Sequence, residues 1–259
     1  MEFYEKEFSS KSENLRSTKE GKQKRMDVYY TIFDFLYSVY SRELFDTVKS
    51  LQPDCIVSGR IGNDLGEYMT TSDNFLPRLS YEGDWELPAT LNDTWGYKIG
   101  DENFKSPDEV IRLLLKVVSR GGNYLLNIGP DGTGAVPKGS LDVLNEVGKY
   151  VKENGEGIFG TKAMPYYPYE LDWAELTRKE HKLYVHVLKK REYIELPNIA
   201  NHSVSAKVLK NDRALEPQNT LNCEEISTIV IHLPKDLWKE TNYCVEITLQ
   251  EEGLEFLSL

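Results

Sequence analysis

Apolar positions between residues 27 and 162 recur in two alternating rhythms. The run DVYYTIFDF (27–35) is aromatic and β-branched and too short for a typical helix, which predicts a buried strand. SRELFDTVKSLQP follows, with Leu44, Phe45, Val48 and Leu51 on one helical face, Ser41 placed to cap it and Pro53 to end it. DCIVS (54–58) reads as the next strand. SPDEVIRLLLKVVSRGG carries the clearest helix signal: Ser106 as cap, Pro107 at the first helical position, Glu109 completing a capping box and Gly121 as stop. Its apolar face, Val110, Leu113, Leu114, Val117 and Val118, requires a sheet to pack against. NYLLNI is that sheet's next strand, and LDVLNEVGKYVKENG is a second amphipathic helix with Leu141, Leu144, Val147 and Val151 turned inward. Strand and helix units alternating at this size predict a parallel sheet covered by helices.

Beyond residue 163 the helical period disappears. KLYVHVLK, TIVIHLP and YCVEITLQ alternate or run apolar over five to seven residues between Asn, Pro and Asp turns, which predicts a small antiparallel β domain, a sandwich in its simplest form. The Pro- and Tyr-rich GTKAMPYYPYELDW (160–173) is the junction. Three regions follow: a polar lead-in at 1–26, an α/β region at 27–162 and a β region at 163–259.

A formal charge of −11 argues against nucleic-acid and anionic-membrane partners, which need clustered Lys and Arg. The basic KEGKQKR (19–25) lies in the polar lead-in and reads as a solvated segment. Cys55, Cys223 and Cys244 have no metal-like spacing and imply no disulfide framework. No apolar run approaches a membrane span and no signal-peptide pattern opens the chain, so both cytoplasmic and secreted locations stay open. The sequons at Asn92 and Asn201 bear on a secretory route only.

The four histidines, His181, His186, His202 and His232, all fall in the β region, which leaves the α/β region without a His-based triad or metal site; His186 and His232 read as structural strand residues. GPDGTG lacks the Gly-Lys-Ser/Thr ending of a phosphate loop. No cofactor and no metal are expected. Carboxylates and aromatics remain. Asp34 ends an apolar strand, where parallel α/β architectures gather active-site residues, although a capping or anchoring role is an equal reading. In YEGDWELPATLNDTWGY (81–97), Glu86 stands between Trp85 and Leu87, with Trp95 and Tyr97 close behind. Sugars stack on such rings while their hydroxyls need acceptors, and the plain alternative is a loop held by buried tryptophans. Glycoside hydrolysis needs two carboxyls and little else.

In this order, FDF at the end of a strand, SLQPD (50–54), GRIG (59–62), LNDTWGY (91–97), RGGNYLLNIGPDGTGAVP (120–137) and GIFGTKAMPYYPYELDW resemble the second half of the retaining α-L-fucosidases. The resemblance implies an α/β fold: an incomplete (β/α)8 TIM-type barrel followed by a small antiparallel β-sandwich domain. It makes RGGNYLLNIGPDGTGAVP a fold signature of the barrel wall. It matches Asp34 to the nucleophile, with Ile32 where the family has Trp, and Glu86 to the general acid/base of one subgroup. The other subgroup draws that group from a Thr-Pro-Glu loop, which here reads Thr70-Thr71-Ser72. Arg60 resembles an arginine near the nucleophile, and Trp95 the ring against the fucose methyl group; Trp85 and Tyr97 complete the expected sugar-binding set. The implied reaction is double displacement on a fucosylated oligosaccharide or glycoconjugate, with Glu86 kept protonated by apolar Trp85 and Leu87. About 135 residues precede the β region against roughly 250 for a whole barrel, so a truncated or split form, self-association across open edges, and an inactive carbohydrate-binding remnant are all expectations of this reading.

Overall fold

The computed structural model describes residues 39–78, 80–164, 171–199, 201–221 and 227–250. The strand expected over 27–35 with Asp34, the lead-in at 1–26, the centre of the junction and Cys223 lie outside the described residues. The chain divides into two compact units, Met1–Met69 and Thr70–Leu259. The α/β elements after residue 70 and the β region therefore share one unit.

In the first unit, helix α1 covers 39–51. Ser41 lies inside it and not at its cap, and its hydroxyl donates to the Ile61 carbonyl at 2.7 Å. The face expected to be inward is largely exposed, Leu44 at 59% and Leu51 at 77%. Residues 54–58 form no strand: the segment has a single bridge, Ser58 to Tyr68, and extended backbone becomes a strand only where a ladder partner takes up its N–H and C=O groups. A short 3-10 turn, Gly59–Ile61, follows.

A three-stranded sheet has the order β1-β2-β3, with β1 Met69–Thr70 at the boundary of the units and β2 Trp85–Thr90 and β3 Asn123–Asn127 in the second. β2 and β3 are parallel, with Glu86 opposite Asn123 and Thr90 opposite Asn127. They are joined by helix α2, Pro107–Val118, the crossover a parallel pair requires. The expected capping box is present in full: the Ser106 hydroxyl accepts the Glu109 N–H, and the Glu109 carboxylate accepts the Ser106 N–H at 2.7 Å. β2 was hidden from pattern reading by Pro88 and Glu86, residues that weigh against a strand interior.

Helix α3, Lys138–Asn154, buries Ser140, Val143, Val147, Tyr150 and Asn154. Its inward stripe is thus rotated from the expected one, and Leu141 is 45% exposed. The rotation brings polar Asn154 into the core because its carboxamide is occupied at both ends, Oδ1 accepting the Cys244 N–H and Nδ2 donating to the Tyr150 carbonyl. α2, α3, Tyr124 and Leu126 build one apolar cluster.

The remaining strands form two antiparallel sheets. The larger has the order β4-β5-β6-β12-β8-β9, from β4 Lys162–Ala163, β5 Ala174–Lys179, β6 Lys182–Val187, β8 Ser203–Val208, β9 Arg213–Leu215 and β12 Tyr243–Leu249. The smaller is β10-β11-β7, from β7 Tyr193–Pro197, β10 Pro217–Leu221 and β11 Ser227–His232. Side chains of both sheets, among them Val185, Ile247, Leu196 and Ile231, share one core with no exposed surface. The change of architecture falls at β4, one residue inside the region expected to be α/β.

Buried polar groups join this β region to α3. His186 lies between Tyr150, whose hydroxyl is 3.1 Å from Nδ1, and the Gly157 carbonyl, 2.9 Å from Nε2. A carbonyl only accepts, so Nε2 carries the hydrogen and Nδ1 accepts from Tyr150. Burial pushes the imidazole down to about 4, opposed by the Gly157 bond. His186 is therefore a neutral structural residue, as its strand position predicts.

Candidate active site

Parallel strands end together, and the loops after their C-terminal ends are where α/β architectures place ligands. At that end of β2, the chain leaves Thr90 into a loop closed at its base by the Lys105 N–H to the Leu91 carbonyl, 2.9 Å. Asp101 ties the loop internally, accepting from Asn92 Nδ2 at 2.9 Å and Thr94 Oγ1 at 2.6 Å. The Thr94 bond, more than any other contact, holds the Asp101 carboxyl below its usual range. β3 fixes the same loop from the side: Asn127 Nδ2 donates to the Trp95 carbonyl at 2.6 Å. Just beyond β3, Gly129 runs so close to the loop that a β-carbon there would lie 2.7 Å from the Gly96 carbonyl carbon. On this anchored loop Trp95 is 41% and Tyr97 50% exposed. Anchored backbone with half-exposed rings is what a stacking platform for sugar C–H faces requires.

Trp85 is placed otherwise. It is 1% exposed and packs with Leu87 and Val117, and its indole N–H donates to the Arg120 carbonyl at 3.2 Å. The chain passes over the ring at Gly122, where a β-carbon would lie 2.4 Å from it. With its faces covered, Trp85 is a core residue and not a sugar platform, which corrects the expected substrate-binding role.

Two observations set Glu86 apart from the surroundings expected for it. Neighbours in a strand point to opposite faces, so Trp85 and Leu87 enter the helix-covered core while Glu86 is on the other face with Pro88 and Thr90; the flanking apolar side chains do not surround its carboxylate. Second, Glu86 is level with Asn123, the first residue of β3, at the N-terminal end. Four residues of strand, about 13 Å, separate it from Thr90, beyond which Trp95 and Tyr97 are held. Its Oε1 accepts from Thr70 Oγ1 at 2.9 Å, and its backbone carbonyl accepts the Thr71 N–H at 3.0 Å. These bonds make it a brace between β1 and β2.

The same bonds carry the preceding chain alongside β2 toward its C-terminal end. From Thr71, level with Glu86, the chain runs along β2 until the Asn74 N–H donates to the Pro88 carbonyl at 2.8 Å and Asn74 Oδ1 accepts the Thr90 N–H at 2.9 Å. Asp73, exposed, immediately precedes that contact. One residue on, Thr71-Ser72-Asp73 has a Thr-x-acid order where Thr70-Thr71-Ser72 has no acid.

Arg60 belongs to the first unit, in the Gly59–Ile61 turn with its N–H donating to Ser58 Oγ at 3.3 Å. Asp34 lies outside the described residues.

Half-exposed aromatic rings on an anchored loop suit a sugar ligand. The alpha-L-fucosidase family model matches residues 22–156, and the chain belongs to that family. It is 30% identical to the alpha-L-fucosidase of Dictyostelium discoideum over 148 residues, 55% of this chain and 31% of that protein. To the human tissue alpha-L-fucosidase it is 28% identical over 165 residues, 61% of this chain and 33% of the other. Among solved structures, alpha-L-fucosidase isoenzyme 1 from Paenibacillus thiaminolyticus superposes with a TM-score of 0.72 at 29% identity, over 81% of this chain and 53% of that one. The alpha-L-fucosidase from Vibrio sp. strain EJY3 gives 0.74 at 27%, over 84% and 40%. The chain thus spans about a third of the length of the curated relatives it matches.

Proposed function

We propose that this chain carries the catalytic carboxylates of a retaining α-L-fucosidase, with Asp34 as nucleophile and Asp73 as proton donor. In the first step an Asp34 oxygen attacks the anomeric carbon of α-L-fucose, Asp73 gives its proton to the glycosidic oxygen, and the aglycone leaves. In the second, Asp73 takes a proton from water, which attacks the same carbon and breaks the ester to Asp34. Trp95 and Tyr97 supply ring faces for the sugar, and Arg60 supplies a hydrogen-bonding cation beside it. β1–β3 with α2 and α3 are read as part of a (β/α) barrel, and the two antiparallel sheets as a sandwich appended to it.

The observation that supports this reading most is the coincidence, within the family-matched residues, of an anchored aromatic loop after β2 and an exposed Asp73 next to Asn74, whose side chain accepts the Thr90 N–H. The test is turnover of 4-methylumbelliferyl α-L-fucoside by the purified chain, with the first-formed sugar anomer followed by NMR. Release of α-L-fucose, abolished in Asp34→Ala, is expected. First formation of the β anomer rules out retention. A fucose-dependent thermal shift without turnover replaces the enzyme reading with that of a carbohydrate-binding protein.

A further inference from the structure

We infer that Gly66 is a positioning residue that acts through Arg60, an inference resting on the proposed placement of Arg60 beside the sugar. Within the first unit, residues 57–59 and 66–68 run side by side. The Gly59 N–H donates to the Tyr68 carbonyl at 2.7 Å and the Glu67 N–H to the Val57 carbonyl at 2.8 Å. Glu67 closes the pair from its side chain, accepting the Val57 N–H at 2.9 Å and Lys49 Nζ at 2.7 Å. The two backbones meet most closely where Gly66 crosses Gly59. A β-carbon on Gly66 would lie 2.3 Å from the Gly59 Cα, 2.5 Å from its nitrogen and 2.9 Å from the Ser58 carbonyl carbon.

All three atoms are backbone, so no flexible side chain can yield and the Gly59–Ile61 turn itself must move. The crossing, and not glycine's left-handed freedom, makes Gly66 obligatory, because Gly66 does not adopt a positive φ. Arg60 is the central residue of the turn that would be displaced. The far side of the turn is also fixed: Ser41 donates to the Ile61 carbonyl at 2.7 Å, Asn63 Nδ2 donates to Ser41 Oγ at 3.1 Å, and Gly62 leaves the turn at φ 81°, ψ −179°, a conformation essentially reserved for glycine. A turn held from both sides transmits an added methyl to the residue between. A misplacement near 1 Å at a substrate contact lowers turnover by about 100-fold.

The experiment is a double-mutant cycle on the full chain with Arg60→Ala, Gly66→Ala and the double variant, reading Kd for free L-fucose by calorimetry and kcat/KM for an aryl α-L-fucoside. Positioning predicts that Gly66→Ala weakens fucose binding by about 10-fold or more in the parent and adds nothing in the Arg60→Ala background, because the group it displaces is gone. Additive losses, or unchanged fucose affinity in folded Gly66→Ala, overturn the inference. Ser41→Ala, which frees the other side of the turn, serves if Gly66→Ala does not fold, with the same non-additivity expected at smaller size and additivity again overturning it. If Arg60→Ala itself leaves fucose affinity unchanged, the placement of Arg60 in the site falls as well.

Discussion

Two regions of the second unit treat their apolar residues differently. In the antiparallel sheets Val185, Val187, Ile194, Leu196, Ile229 and Ile231 have no exposed surface, and residues of both sheets belong to one buried cluster. The parallel pair β2–β3 is covered on one face by α2 and α3. On its other face the β3 residues Asn123 and Leu125, the latter at 52%, are exposed, while Pro88 and Thr90 of β2 are buried. Parallel strands in general are buried on both faces. The β region is therefore a closed core, whereas β3 leaves an apolar side chain uncovered, and the loop that holds Trp95 and Tyr97 follows the end of β2.

Truncation experiments on single side chains sharpen this contrast. The largest effect is expected at Trp85. As a core residue under Gly122, Trp85→Ala should cost about 3–5 kcal/mol, seen as a fall in denaturation midpoint by urea. A sugar platform would instead lose fucose affinity at unchanged stability.

Next comes acidity at the seam between α3 and the β region. His186 is held neutral, with its value pushed down to about 4 by burial, against about 6.5 in the unfolded chain. Between those values the unfolded chain binds a proton that the folded chain does not, so stability falls as pH drops from 6.5 towards 4, by ~3 kcal/mol, and the loss levels off below. The groups facing this ring include Tyr150 from α3, Thr177 and the register partner Glu175 from β5, the Gly157 carbonyl and the buried Cys244 from β12. Urea melts from pH 7.5 to 4 should show that loss, and His186→Gln should flatten it.

Smaller effects separate local from tertiary contributions. Ser106→Ala removes one side of the α2 capping box and should cost about 1 kcal/mol, measurable by thermal melting. Leu125→Ser, on the open face of β3, should change stability by less than about 0.5 kcal/mol. A loss as large as that at a closed-core position would show that the face is covered in solution.

What could be read from sequence was whatever a few adjacent residues decide. The α2 capping box is written within four positions, 106–109, and appeared as expected. The strand at 123–127 is apolar enough to recognise alone. The β2 strand was not legible, because Pro88 and Glu86 are tolerated there only through partners on both sides. The inward face of α3 depended on Asn154 finding the Cys244 backbone ninety residues away. The loop aromatics Trp95 and Tyr97 were legible as a cluster with carboxylates, and both rings are half-exposed on an anchored loop. Which carboxylate shares their end of the sheet was not legible, since direction along β2 has meaning only once β3 is aligned with it. That alignment puts Glu86 at the opposite end of β2 from the rings, and the proposal of Asp73 as the acid starts from there.

The assignment of Asp73 is tested most directly by azide rescue. Asp73→Ala and Glu86→Ala are each incubated with an aryl α-L-fucoside bearing a good leaving group, and the products are followed by NMR with and without azide. If Asp73 is the proton donor, azide accelerates Asp73→Ala and yields α-L-fucosyl azide, while Glu86→Ala stays insensitive to it. Rescue of Glu86→Ala with an unresponsive Asp73→Ala contradicts the assignment and returns the chemistry to the N-terminal end of β2.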